Sequence, residues 1–176
     1  TGEPWPHEAL QMIISLNGNV TEVGHFTRTD EDGYWTYPDL PAEGAMIRRL
    51  IGSTFTEVPV RAGDENLYRE PGTGSVLGRV MDADSGEPVP EFEVTVLPAE
   101  EPGEAGMRIS EFYARQWFFR DGGGHFELVQ MPLGVPMRLE VTADGYTATT
   151  AGPVKAGARN DPQWPVVVEM EMREGA

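Results

Sequence analysis

Cysteine is absent from this chain of 176 residues, and Lys155 is its only lysine. Without cysteine the chain has no disulfide framework, no thiol nucleophile and no thiolate metal ligand. It also lacks an apolar run of about 18 residues, the length that a membrane-spanning helix requires. The sequence therefore predicts no membrane insertion in this segment, and no export signal is visible in it.

Positive charge is scarce. The chain has 13 Lys and Arg residues against 29 Asp and Glu residues, a net charge of −16. Binding to nucleic acid needs a cationic surface that neutralises phosphates, so this class of function is disfavoured. Attachment to an anionic membrane is disfavoured for the same reason. An acidic composition that is poor in lysine is typical both of GC-rich genomes and of saline habitats, and both explanations stay open.

Long helical patterns are missing as well. The chain has 21 glycines and 15 prolines, and the segments between them are rich in Val, Thr, Phe and Tyr. These residue types favour strands, whereas Gly and Pro mark the turns that separate strands. The composition predicts an all-β fold.

What the sequence does contain is an internal repeat. Three motifs recur in the same order, with partners roughly 85 to 95 residues apart, as expected for tandem copies of one small domain. The pairs are residues 1–6 with 85–90 (TGEPWP, SGEPVP), 33–41 with 124–132 (GYWTYPDLP, GHFELVQMP) and 59–63 with 153–157 (PVRAG, PVKAG). We therefore predict two domains, copy one (residues 1–72) and copy two (residues 73–176). A repeat of this kind favours a modular, non-enzymatic role.

Copy two has the clearer strand pattern. Phe92, Val94 and Val96 alternate with polar residues, and so do Leu139 and Val141. Such alternation predicts one buried and one solvated sheet face, so we expect these five side chains in the core of an antiparallel sandwich. The predicted strands of copy two are 75–82, 91–97, 112–120, 126–130, 137–143, 146–151 and 163–172, with a polar loop over 98–110.

Copy one matches copy two from the second strand onward. Its predicted strands are 7–16, 20–28, 33–37 and 45–51, with a short closing strand at 67–70. No counterpart of the strand 75–82 is present, so we expect the chain to begin part-way into copy one. The sheet would then have a vacant edge, filled by the linker near 71–74, the tail near 169–174 or another chain. An alternative register, in which residues 7–16 form the true first strand, stays open.

Several motifs of copy two together resemble a known family. They are residues 78–82, 85–90, 124–128, 131–134 and 138–146. This set is similar to the carboxypeptidase regulatory-like domain, which has a transthyretin-like (prealbumin-like, Greek-key) β-sandwich fold. The resemblance implies two tandem antiparallel sandwiches of this type. It also implies a non-catalytic accessory module of a larger exported or cell-surface bacterial protein, located outside the cytoplasm. Its partners would be other domains of that protein or a second protein.

The sequence offers little catalytic chemistry. No two of His7, His25 and His125 are spaced as metal ligands on one element, and Ser110 has no partnered histidine. The hydroxyisourate hydrolases and intradiol dioxygenases, which share the fold, need histidine sets that this chain lacks. The acidic turns at 30–33 and 82–87 lack the full calcium-loop register. We expect no enzyme activity, no catalytic residue, no metal and no cofactor.

Aromatic residues are the remaining candidates for ligand binding. Strand alternation places Trp35 and Tyr37 on one sheet face, where an aromatic pair could stack on a sugar ring. Trp117 lies in a predicted strand that carries aromatic residues on both of its faces. Such residues are more often part of a core than of a binding site. A structural or interaction module is therefore the leading hypothesis, and a carbohydrate-binding accessory module with a polysaccharide partner is the alternative.

Overall fold

A computed structural model describes residues 6–16, 19–37, 44–63, 71–110, 114–157 and 165–173. In these ranges the chain is all-β, as the sequence predicts, with one 3₁₀ turn at Glu104–Gly106. In chain order the strands are β1 (Ala9–Leu16), β2 (Asn19–Arg28), β3 (Ala45–Ile51), β4 (Thr54–Val60), β5 (Thr73–Asp82), β6 (Glu91–Pro98), β7 (Arg108–Ile109), β8 (Gln116–Arg120), β9 (His125–Pro132), β10 (Met137–Thr142), β11 (Thr149–Val154) and β12 (Val166–Met170).

The strands form three sheets in the described part of the chain. Sheet I has the order β2-β1-β3-β4-β7, sheet II has the order β11-β10-β6-β8, and sheet III has the order β12-β5-β9. All pairs are antiparallel except β5 with β12, which run parallel in register from Gly78 and Val166 to Asp82 and Met170.

Copy two is a two-sheet sandwich of sheets II and III. The five core residues predicted from alternation, Phe92, Val94, Val96, Leu139 and Val141, are all buried, so that prediction is confirmed. In β10 the buried and partly buried residues alternate along the whole strand, which is the burial pattern that the sequence alternation indicates.

Copy one supplies the first four strands of sheet I. Their order, β2-β1-β3-β4, is the order of β8, β6, β10 and β11 in sheet II. The two sets of strands also follow one another along the chain in the same sequence. The described strands of the two copies therefore share one arrangement, as expected for a duplicated unit.

The two copies also have an equivalent turn, with the same hydrogen bonds in each. Asp30 Oδ1 accepts hydrogen bonds from the amides two and four positions later, at 3.0 and 2.9 Å. Asp121 Oδ1 accepts from the amides at the same two positions after it, at 2.9 and 3.0 Å. The glycine third after each aspartate, Gly33 and Gly124, has a φ of 79° and 72° respectively, the left-handed conformation that glycine adopts without strain. The repeated motifs 33–41 and 124–132 thus begin at equivalent turns.

Copy one departs from the prediction in two places. Residues 33–37 form no strand, because their backbone groups bond side chains of copy one. The Tyr34 amide donates to the Asp30 carboxylate, and the carbonyl of Thr36 accepts a hydrogen bond from Thr27 Oγ1. The sequence does not predict β4, because polar and apolar residues do not alternate regularly along it: Glu57 is buried, whereas Pro59 on the same face is exposed. The predicted closing strand 67–70 lies outside the described residues.

The boundaries in copy two also differ in part. The loop predicted over 98–110 contains the 3₁₀ turn and β7, and the strand predicted from 112 begins at Gln116. The strand predicted over 146–151 is β11, three residues later, and the strand predicted over 163–172 is the shorter β12. Residues 163 and 164 of that predicted strand lie outside the described residues.

A non-local strand joins sheet I at the edge of β4, which is not the place of the missing counterpart of β5, since β5 pairs with β9 and β12 in copy two. The linker and the tail, which were expected to fill that place, are used in sheet III, where the linker leads into β5 and the tail forms β12. The strand that extends sheet I is β7 from the loop of copy two, which pairs with β4 through Thr56 with Ile109 and Glu57 with Arg108. The expectation that linker or tail fills an edge of copy one is therefore corrected.

Candidate functional site

The candidate site is the junction where copy one meets copy two. The edge of β4 carries β7, and the amide of Ser110, the residue after β7, donates to the carbonyl of Phe55 at 2.9 Å. Below this ladder, Ile51 and Val58 of copy one belong to the same buried cluster as Ile109 and Met131 of copy two. The two copies thus share backbone hydrogen bonds, and two residues of copy one belong to the apolar core of copy two.

The hairpin turn between β3 and β4 docks on the end of β9. The Ser53 amide donates to the Gln130 carbonyl at 3.0 Å, and Ser53 Oγ donates to the Val129 carbonyl at 2.7 Å. Gly52 and Gln130 both have a φ of 57°. A Cβ atom on Gly52 would overlap the carbonyl oxygen of Gln130, so the close approach of the two backbones requires glycine here.

A buried ion pair lies beside this ladder. Arg48 on β3 donates through Nε and Nη2 to Glu57 Oε1 on β4, at 3.0 and 2.9 Å. The Ser110 hydroxyl donates to the same oxygen at 2.6 Å. The two charged side chains are 1% and 6% exposed. A buried pair of this kind adds little net stability but penalises arrangements that break it. Here it favours the one register in which Ser110, and with it β7, lies against β4.

Trp117, one of the three predicted ligand-binding residues, lies next to the junction. It is partly buried against the core of copy two, and the Arg115 guanidinium lies 5.3 Å from the centre of its ring. Arg115 Nη1 in turn donates to the carbonyl of Ser53 at 3.1 Å. Trp117 therefore supports an arginine that bonds copy one, through a cation–π contact.

Trp35 and Tyr37 were predicted to share one face of a strand, but residues 33–37 form no strand. Both are partly buried and pack against a cluster of buried residues. That cluster contains Leu10, Ala45, Ile47 and Val60. Ligand binding by Trp35 and Tyr37 stays a prediction. The most exposed aromatic residues, Phe26, Tyr34 and Phe118, were not predicted as sites and lie on three separate segments.

The acidic turns use their carboxylates to hold the backbone. Asp82 Oδ1 accepts from the Ser85 amide and hydroxyl at 2.7 and 2.8 Å and from the Asp84 amide at 3.1 Å. These bonds, the one to the Ser85 amide above all, lower the pKa of Asp82. Burial, together with a hydrogen bond to Asp82, raises the pKa of Tyr146. The bond from the His125 amide is likewise the first cause that lowers the pKa of Asp121.

Other chemistry is sparse in the described ranges. They contain no group of three or more His, Cys, Asp or Glu side chains placed to hold a metal ion. No helix among the described residues is long and apolar enough to cross a membrane. A cavity of about 740 Å³ opens in copy two beside the end of β11. Its wall includes Val76, Pro136, Arg138, Pro153 and Val154.

Comparison with known proteins gives the following. No protein-family model matches the chain. No curated protein matches it. Solved structures similar to it include a streptococcal ancillary pilin, with a TM-score of 0.47 and 13% identity over 97% of this chain, which spans 58% of that protein. A shaft pilin from Lactobacillus rhamnosus GG has a TM-score of 0.41 and 12% identity, with 99% of this chain and 94% of the pilin covered.

Proposed function

We propose that this chain is a non-catalytic structural module of a larger exported or cell-surface protein, in which the two copies act as one rigid unit. The observation that carries the proposal is the junction, where β7 of copy two continues sheet I and where Ile51 and Val58 of copy one belong to the core of copy two. Neighbouring domains usually move relative to each other unless their interface is large and apolar. Shared strands and a shared core hold the relative orientation of the copies constant.

The ionisable side chains support a structural role. Glu57 is bonded to Arg48 and Ser110 within the junction, and Asp82 and Asp121 hold turns. A catalytic carboxylate instead faces a cavity that admits substrate. The partners of such a module are other domains of the same protein or a second protein, which the module holds at a set distance and direction.

Residual dipolar couplings of the full chain test the rigid unit. Couplings from residues 6–63 and from residues 73–173 are fitted separately. We expect both sets to give the same alignment tensor, because strand pairing and the shared core prevent relative rotation. Two different tensors, or a clearly reduced order for one copy, would show that the copies are flexibly linked and would remove the basis of the proposal.

The carbohydrate-binding alternative can be tested with the same preparation. A pull-down with soluble glycans is expected to retain none of the protein, since Trp35, Tyr37 and Trp117 are partly buried against the two cores. Retention that is abolished by Trp35→Ala, in a variant whose melting temperature is unchanged, would favour the alternative.

A further inference from the structure

The face by which copy one receives copy two has two parts. One part is the hairpin turn at Gly52, and the other is the edge of β4. The repeat gives each part an equivalent in copy two. Gly145, with a φ of 80°, occupies the turn between β10 and β11, and β11 follows β10 as β4 follows β3.

The strand register sets the equivalence residue by residue. Ile47 pairs with Val58 in copy one, and Leu139 pairs with Ala151 in copy two. Counting back along β4 from Val58 and along β11 from Ala151, Thr150 takes the place of Glu57 and Thr149 takes the place of Thr56. Thr56 and Glu57 are the residues with which β7 pairs.

This equivalent face is open in copy two. Sheet II ends at β11, which pairs only with β10 among the described strands. Thr56 and Glu57 are buried, whereas Thr150 is exposed and Thr149 is partly exposed. A Cβ atom on Gly145 would meet nothing within 4 Å, in contrast to the blocked position at Gly52. The tail bonds the turn, from the Thr147 amide to Glu171 and from the Arg173 amide to Gly145, and β12 lies close to β11 without pairing with it.

The cavity adjoins this edge. In copy one, Gly106 of the 3₁₀ turn lies directly against Pro59, near the end of β4. The repeated motif places Pro153 at the same point of β11, and there Pro153 lines the cavity of about 740 Å³. The space that the 3₁₀ turn and β7 occupy beside copy one is thus accessible beside copy two.

We propose that the β11 edge and this cavity form an acceptor site for a further β-sandwich module, which inserts a turn and short strand of the kind that residues 104–110 form against β4. This inference rests on the proposed structural function and names the partner of the module. An unpaired strand edge is a template for such pairing. A second copy of this chain does not fit the role. Its copy one has only residues 17–18 between β1 and β2, and the loop of its copy two is already bound to β4.

The chemistry of the edge indicates what the inserted strand carries. Glu140 pairs with Thr150, so a carboxylate and a hydroxyl stand where copy one has Arg48 and Glu57. These groups accept hydrogen bonds, and the protein as a whole carries a charge of −16. The matching strand has an apolar residue facing the core, as Ile109 does, and basic or hydroxyl side chains at the positions on either side of it, as Arg108 and Ser110 are.

The test supplies such a strand within the molecule. Residues 102–110 (PGEAGMRIS) are appended to the full chain after Ala176 through a flexible Gly/Ser linker of about 12 residues, which gives a millimolar effective concentration. Amide hydrogen exchange at Thr150, the counterpart of Glu57, is then compared with that of the unmodified chain, because the neighbouring amides of β11 point to β10. The matched control carries the same tail with Asp in the place of Ile109 and Glu in the place of Arg108.

We expect exchange at this amide to slow by about tenfold, the effect of about nine-tenths occupancy, with the intact tail only. Equal rates with the intact and control tails would overturn the inference, as would dimerisation of the unmodified chain through β11. Equal rates together with a single alignment tensor would refute the acceptor site and leave the proposed function standing. Two tensors would refute the proposed function whatever the tail does.

Discussion

The junction constrains the backbone conformation of two residues, Gly52 and Gln130. Both have a left-handed backbone, and for a residue with a side chain this conformation costs about 1–2 kcal/mol. Gln130 keeps it because the strain places its carbonyl against the Ser53 amide at 3.0 Å. A strained residue of this kind persists only where its surroundings hold it, which here means the hairpin turn of copy one.

Gly52→Ala should therefore be strongly destabilising. The added Cβ overlaps the backbone of Gln130 and also strains the positive φ, so we expect the free energy of unfolding to fall by about 3 kcal/mol or more. Gly63→Ala is the control, since Gly63 has a φ of 80° but open space around it, and it should lose only about 1 kcal/mol. Urea unfolding of both variants measures the difference. Equal losses would mean that the two backbones can separate at no cost.

Asp82 should make the stability of the folded protein depend on pH in the acidic range. Because its folded pKa is lowered, the stabilisation is fully present above the ordinary value of 3.8 and is lost as the pH falls through the folded pKa. Asp82→Asn should thus lower the urea midpoint more at pH 7 than at pH 2. Ser85→Ala, which removes only the hydroxyl donor, should have a smaller effect at pH 7. The idea fails if the loss for Asp82→Asn is the same at both pH values.

At the scale of elements, the Arg48–Glu57–Ser110 contact ties β3, β4 and the end of β7 together. Arg48→Met leaves a buried carboxylate without its cation, and we expect a loss of about 3–5 kcal/mol. Arg120→Met is the control, because it breaks an exposed pair with Glu91 and should cost no more than about 1 kcal/mol. Thermal and urea unfolding of the two variants measure these two losses of stability. The double variant Arg48→Met with Glu57→Leu should recover most of the loss, and a double variant as unstable as Arg48→Met would contradict the argument.

The strands that the sequence predicts most clearly are those in which apolar and polar residues alternate. In β10 the outward residues are polar and partly exposed, so alternation is visible, and β6 shows the same alternation although its outward Thr95 is buried. In β4 Glu57 is buried because Arg48 pairs with it, whereas Pro59 on the same face is exposed, so the pattern disappears. The two-residue strand β7 has no pattern of its own and exists because β4 offers it an edge. The junction could not be predicted for this reason, although the repeat that underlies it could.

On the scale of the whole molecule, copy one depends on copy two. Ile51 and Val58 are buried only within the shared cluster, and the edge of β4 is covered only by β7. Residues 1–72 expressed alone should therefore be poorly folded or self-associating, since they expose apolar surface and an unpaired strand edge. Circular dichroism and sedimentation of the fragment measure this. A monomeric fragment that melts cooperatively would show that copy one is a complete domain.

The parallel pairing of β5 with β12 has a mechanical consequence for copy two. These are the first and last strands of that copy, and five registered pairs join them between Gly78 and Met170. When the chain is stretched, tension enters at the start of β5 and leaves at the end of β12, so the two strands are pulled past each other lengthwise. The hydrogen bonds between them lie across the load and share it, and they must rupture together instead of peeling apart in turn. Stretching single molecules should accordingly give one abrupt rupture for copy two, and a gradual extension would show that the load bypasses this pair.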